Sequence, residues 1–184
     1  MIEILSSENT NELLTNSINR IEERIDNDLT KNSPIVISDL SNIKVLFPSS
    51  AIPNEFHFYS RILRNGFGIT QPKNFRGGIR KHLIVINTEI IEKLELSEPE
   101  LDAIIAHELG HIFNEPNKDI PNFIEEQEFY ADYFASSIGL KESLLSSIEK
   151  YLEQENAENT ELFILRIRHL NEENSFDNGN IRNL

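Results

Sequence analysis

The stretch "SEPELDAIIAHELGHIFN", residues 97–114, limits what this chain can fold into more than any other. Ser97 offers a capping hydroxyl, Pro99 falls in the first turn, and Glu100 follows three residues after the cap. This spacing predicts a helix running to about Asn114. Leu101, Ile104, Ile105, Leu109, Ile112 and Phe113 surround that helix, leaving it apolar nearly all round, as a buried helix is. It also carries His107, Glu108 and His111. Polar groups buried without partners are costly, so a fold that buries this helix must supply a partner for them.

Residues four apart on a helix differ by about 40° around its axis, so His107 and His111 project side by side. Two imidazoles so placed can bind one Zn²⁺ in tetrahedral N/O coordination. Glu108 lies roughly 100° from His107 and 60° from His111, beside the metal and not on it. That position suits a general base acting on metal-activated water.

A zinc site of this kind needs a third protein ligand. The chain has no cysteine, so the ligand must be another His or a carboxylate. "EEQEFYADYFA", residues 125–135, sets Glu125, Glu126, Glu128 and Asp132 among apolar residues. With residues 122–138 placed on a helix, Ile124, Ala131, Ala135 and Ile138 fall within about 80° of Glu128 on one side. Asp132 lies about 40° away on the other, while Glu126, some 160° away, can be solvated. Glu125, at about 60°, is an alternative to Glu128 as the inward carboxylate. Sixteen residues separate His111 from Glu128, enough for a turn, a loop and an antiparallel return. Ala103, Ala106 and Gly110 on one helix, with Ala131 and Ala135 on the other, permit close approach. Glu128 is therefore the expected third ligand. Asp132 is expected to accept a hydrogen bond from the outer nitrogen of a ligand histidine, fixing its tautomer.

The remaining pattern is that of an α+β protein. Residues 8–29 put Leu14, Ile18, Ile21, Ile25 and Leu29 at helical spacing. "PIVIS" (34–38), "IKVLF" (43–47) and "HLIVIN" (82–87) read as strands. Residues 54–65 read as a weak helix, and "NGFGITQPKNFRGGIR" (65–80), with its glycines and Pro72, as a loop. Thr88 could cap a short helix, "EIIEKL". The helix bearing Glu128 should stop near Gly139, and helices over about 141–154 and 159–170 should precede a flexible tail from about residue 171. No internal repeat or domain boundary stands out, so residues 1–184 are expected to form one domain.

Charge and composition narrow the partners. The net charge is −14, with thirteen acids against Lys93 and Lys118 across residues 88–135, a local balance of −11. This sign disfavours nucleic acid. Residues 56–88 hold no acid but carry Arg61, Arg64, Lys73, Arg76, Arg80 and Lys81, which either pack beside the acidic stretch or rim a binding cleft. No apolar run approaches the ~20 residues of a membrane span, and the start lacks the basic, then apolar, character of a signal peptide. A soluble, cytoplasmic protein with no membrane or nucleic-acid partner is expected.

At this point the sequence resembles the gluzincin metallopeptidases, specifically the HtpX-like and prenyl-protein-protease-like group and their soluble minigluzincin relatives. The resemblance runs from "IVINTEIIEKLELSEPELDAIIAHELGH" through "EFYADYFA", where an E-x-x-A-D-x-x-A pattern is met by Glu128, Ala131, Asp132 and Ala135. "RIRHL" resembles a downstream R-I-x-x-L element with its arginine at Arg166, although the His-Pro that often precedes it is absent. A second resemblance is to the ImmA/IrrE-like regulatory proteases. The first implies a zincin-like single domain: a small mixed sheet packed on the H-E-x-x-H helix, an antiparallel Glu-bearing helix and further C-terminal helices. It also implies His107, His111 and Glu128 as ligands of one Zn²⁺, Glu108 as the catalytic glutamate and Asp132 behind the ligands.

The expected activity is zinc-dependent cleavage of a polypeptide substrate. Arg166 and His169 are candidates for an oxyanion or substrate contact, with a structural salt bridge the alternative for Arg166. Tyr130 and Tyr133 angle away and read as packing residues, and His57 and His82 as plain polar residues. "HLIVIN" could be an edge strand beside the cleft, offering backbone groups to an extended substrate, or an interior strand. The rival readings are a regulatory protease with one protein target and a non-catalytic binding protein held together by zinc.

Overall fold

The computed structural model describes residues 2–5, 8–25, 34–40, 59, 63, 66–74, 80–113 and 124–172. The chain runs β1 (Ile2–Leu5), α1 (Glu8–Glu22), β2 (Ile35–Asp39), β3 (Gly68–Asn74), β4 (Arg80–Ile86), α2 (Thr88–Lys93), α3 (Glu98–Phe113), α4 (Ile124–Ser137), α5 (Lys141–Leu152) and α6 (Thr160–Glu172). The four strands form one mixed sheet in the order β1-β2-β4-β3, with β3 antiparallel and the other pairings parallel. This mixed sheet with six described helices is consistent with the zincin-like α+β arrangement expected from the sequence.

Both sheet faces are covered. Ile35, Ile37, Ile84 and Ile86 pack into the main core with α1, α3, α4 and α5. Val36, Leu83 and Val85 pack on the opposite face against Tyr59 and Leu63. Double coverage explains why all five residues of β2 are buried and why β2 and β4 read as near-continuous apolar runs. Helix α3 is buried from Glu100 to Gly110, wrapped by α1, α4, α5 and the β3–β4 ribbon.

The local signals around α3 hold in detail. Glu100 accepts from the Ser97 backbone N–H at 2.6 Å and from its hydroxyl at 2.7 Å. Ser146 and Lys150 donate to the same carboxylate at 2.7 and 2.8 Å, tying α5 to the start of α3. Gly139, at φ +80°, ends α4: its N–H reaches Ser136 O while Leu140 N–H reaches Ala135 O, a Schellman-type closure.

Several expectations need correction. Helix α1 ends at Glu22, not near residue 29, and Glu23–Ile25 turn away. An Asp-Asn-Asp run at 26–28 would oppose the helix dipole at a C-terminus. The cap of α2 is Asn87, whose side chain accepts from Ile90 N–H, and not Thr88. The short strand β1 was not anticipated; its four residues are too few to show a period. Within the span 65–80, expected to be a loop, Gly68–Asn74 form a strand paired along β4, and residues 65 and 75–79 lie outside the described residues. "HLIVIN" therefore contributes an interior strand, bonded to β2 and β3, and among the described residues β3 lies at the sheet edge on that side. The strand expected at 43–47, most of the helix at 54–65, the loop at 114–123 and the tail beyond 172 lie outside the described residues.

Candidate metal centre

Helices α3 and α4 pack against each other where their side chains are smallest. A Cβ on Gly110 would stand 2.7 Å from Ala131 Cα, so the backbones approach as closely as glycine allows. Phe113 and Phe134 meet one turn further on, with ring centroids 5.4 Å apart. This contact places Glu128 opposite both histidines. Its Oε2 lies 3.3 Å from His107 Nε2 and its Oε1 lies 3.6 Å from His111 Nε2.

Donor atoms of His107, His111 and Glu128 all lie within 4.8 Å of one another. Tetrahedral zinc bonds of about 2.0–2.2 Å set neighbouring donors roughly 3.3–3.6 Å apart; each histidine meets that spacing to a Glu128 oxygen, His107 to Oε2 and His111 to Oε1. Two imidazoles and a carboxylate also match the ligand types of zinc sites that keep a coordination position open. Glu125, the alternative, is exposed.

A layer of charge stands behind these three candidate ligands. His107 Nδ1–H donates to Asp132 Oδ1 at 2.8 Å, turning Nε2 towards Glu128. Asp132 is fully buried and is clasped by Arg166, with Nε to Oδ2 at 2.9 Å and Nη2 to Oδ1 at 2.6 Å. The same guanidinium reaches Glu128 Oε2 with Nη1 at 3.1 Å. Arg166 thus braces Glu128 and Asp132 of α4 from α6.

The titration behaviour follows from this crowding. Burial and the Arg166 charge push His107 down, but the hydrogen bonds to Asp132 and Glu128, with the Asp132 charge, outweigh them and raise it to about 9. Burial, reinforced by the His107 charge, lowers His111 to about 4. Burial alone would raise Glu128 and Asp132. Their cationic neighbours, His107 and Arg166, prevail and hold both below the ordinary carboxylate range. Glu108 moves the other way, pushed up chiefly by burial and only partly offset by the His107 charge.

Glu108 points to the other side of the histidines, at β3. Thr70 Oγ1 lies 2.7 Å from its Oε2 and 3.0 Å from its main-chain carbonyl oxygen. A Cβ on Gly68 would come within 2.9 Å of Oε1. All these groups open onto one cleft of about 660 Å³, lined by β3, by Ile104 of α3, by Ile124 and Gln127 of α4, and by apolar residues of α5 and α6.

The other candidates fall elsewhere. His169 stacks on Phe129 at 4.2 Å and is not among the residues lining the cleft, whereas Arg166 is. Tyr130 and Tyr133, read as packing residues, lie at the surface of α4, each 40 % exposed. His82, read as a plain polar residue, lines the cleft. Lys81 of the basic stretch pairs with Glu3. Sequence reading missed Thr70 and Gly68 altogether; the alternation in "FGIT" was a signal, masked by the glycines around it.

Comparison with curated proteins finds no match, and comparison with solved structures finds none either. The family model of peptidase family M48 matches residues 65–118, from the edge strand through the H-E-x-x-H helix, and stops before Glu128. That match supports a zinc metallopeptidase family for this chain.

Proposed function

We propose that this chain is a zinc-dependent endopeptidase that uses Glu108 as its general base, with His107, His111 and Glu128 holding the metal. The observation that carries the reading is the convergence of those three ligand groups in a cleft whose neighbouring wall bears a buried carboxylate. A site that only stabilised the fold would not need Glu108. Zinc held there would polarise both a water molecule and the scissile carbonyl.

Glu108 then does the proton work. Its Oε1 has no hydrogen-bond partner among the described residues, whereas Oε2 is engaged by Thr70. It would take the proton released as water oxygen bonds to the carbonyl carbon, and return it to the leaving nitrogen as the C–N bond breaks. Asp132 and Arg166 hold the ligands during this exchange. Arg166 is committed to two carboxylates, which favours a bracing role over direct substrate contact.

Substrate would bind along β3. The Asn87 N–H to Phe67 O bond of 2.8 Å fixes the ladder phase, so Ile69 and Gln71 bond to β4 while Gly68, Thr70 and Pro72 turn their backbone groups outward. No described strand pairs with that outer side. An extended, unfolded segment can add there as a further strand. Pro72 has no N–H to offer, so the donors are those of Gly68 and Thr70.

The test combines metal analysis with Glu108→Gln, using labelled unfolded casein as substrate. Wild type should carry one zinc per chain and cleave, while the variant should keep zinc and lose cleavage. A variant that cleaves as well as wild type would remove Glu108 from the mechanism, and protein that binds no zinc would end the proposal.

A further inference from the structure

The contact between β3 and Glu108 reaches beyond the metal site. Thr70 stands opposite Ile84 on the face of the sheet that carries the helices. Its hydroxyl lies between the carboxylate Oε2, at 2.7 Å, and the main-chain oxygen of Glu108, at 3.0 Å, and shares its one proton between them. The shorter contact ties the tip of the side chain and favours its present rotamer. Gly68, two residues earlier on the same face, leaves open the space occupied by Oε1, because any Cβ there would stand 2.9 Å from that oxygen. Gly68 has no positive φ, so its backbone would accept a side chain; what excludes one is Glu108.

Resting on the proposed role of Glu108, we infer that Thr70 and Gly68 are its positioning residues: the hydroxyl pins Oε2, and the missing side chain keeps Oε1 free to face the cleft. Thr70 also presents its backbone N–H and C=O at the open edge. One residue therefore touches the base with its side chain and meets an added strand with its main chain. Substrate register and base alignment are set from the same point.

The variants separate this from a merely structural role. Thr70→Val preserves shape and removes the hydroxyl, Thr70→Ser keeps the hydroxyl, and Gly68→Ala places a methyl group against Oε1. The collision in Gly68→Ala is with the Glu108 side chain, at Oε1, Cδ and Cγ, and not with backbone, so the fold should survive while the carboxylate is displaced. A hydrogen bond to a charged group corresponds to about a 10–100-fold change in rate. Thr70→Val and Gly68→Ala should lose about that much kcat on unfolded casein with KM nearly unchanged and zinc content intact. Thr70→Ser should recover most of the loss.

Crystal structures of the metal-free proteins give a readout independent of turnover. The Glu108 carboxylate should move beyond the ~0.5 Å tolerance of a productive site in Thr70→Val and Gly68→Ala, and stay in place in Thr70→Ser. An unmoved carboxylate in both displaced variants overturns the inference, as does an unchanged kcat in an enzyme that Glu108→Gln silences. Cleavage surviving Glu108→Gln would instead defeat the proposed function itself.

Discussion

Gly110→Ala tests the packing that assembles the centre. On an exposed helix the exchange stabilises by about 1 kcal/mol, because alanine is the better helix former. Here the new Cβ would sit 2.7 Å from Ala131 Cα, 2.9 Å from Ala131 O and 3.0 Å from Phe134 Cβ. Non-bonded carbons settle about 3.5–4.0 Å apart, so α4 must retreat by roughly 0.8 Å or more. The first two obstacles are backbone and cannot rotate away. Overpacking of this kind costs about 1–3 kcal/mol, leaving a net loss of about 1 kcal/mol after the helix gain. The larger effect should fall on zinc. Metal sites tolerate about 0.2 Å in their ligand distances, and Glu128 cannot follow freely while Arg166 holds it. Affinity should drop about 10–100-fold, the equivalent of the strain above. Urea denaturation of the metal-free protein measures the first quantity and competition with a chromophoric chelator the second. Gly139→Ala is the control: its φ of +80° imposes backbone strain, but far from the ligands, so stability should fall while zinc affinity holds. If Gly110→Ala were more stable than wild type with undiminished zinc affinity, the close approach of α3 and α4 would be refuted.

Three further outcomes follow from the charge network. Burial would raise Glu100, but the bonds from Lys150, Ser146 and Ser97 prevail and lower it to about 2 from 4.5. Its contribution should be full above about pH 4.5 and be lost as pH falls through about 2, an acid-side loss of about 2 kcal/mol once screening of the partly exposed Lys150 is allowed for; Glu100→Gln should reduce the acid-side slope of stability against pH by that amount, leaving the part due to Glu128 and Asp132. Arg166→Met removes the guanidinium that spans Glu128 and Asp132 and leaves His107 as their cationic neighbour, and should destabilise the metal-free protein by about 3 kcal/mol in chemical denaturation. Asp132→Asn keeps the shape but not the charge behind His107, and should weaken zinc about 10–100-fold by chelator competition.

Much of this centre was legible in the sequence because it depends on local geometry. The placement of His107 and His111 on one face, and of Glu108 beside them, needs only the helical repeat. The Ser97–Glu100 cap depends on residues three apart. The choice of Glu128 over Glu125 rested on the angle to a small apolar stripe, and the packing of Gly110 against Ala131 uses that stripe. Even Asp132 as the partner of His107 follows from its position one turn after Glu128.

Tertiary structure alone decided that β3 and not β4 borders the cleft as an edge among the described strands, what Arg166 touches and what holds Glu108. Strand pairing joins residues far apart in the chain, so nothing within "HLIVIN" reveals that both its sides are occupied. Gly68 and Pro72 weaken the strand signal of "GITQPKN" when taken alone. On an edge, beside a carboxylate that needs room, the same residues are suited to their places. Arg166 lies 34 residues from Asp132, and its clasp exists only because α6 folds back onto α4. Periodicity assigns a residue to a face; which partner waits there depends on the packing of the whole chain.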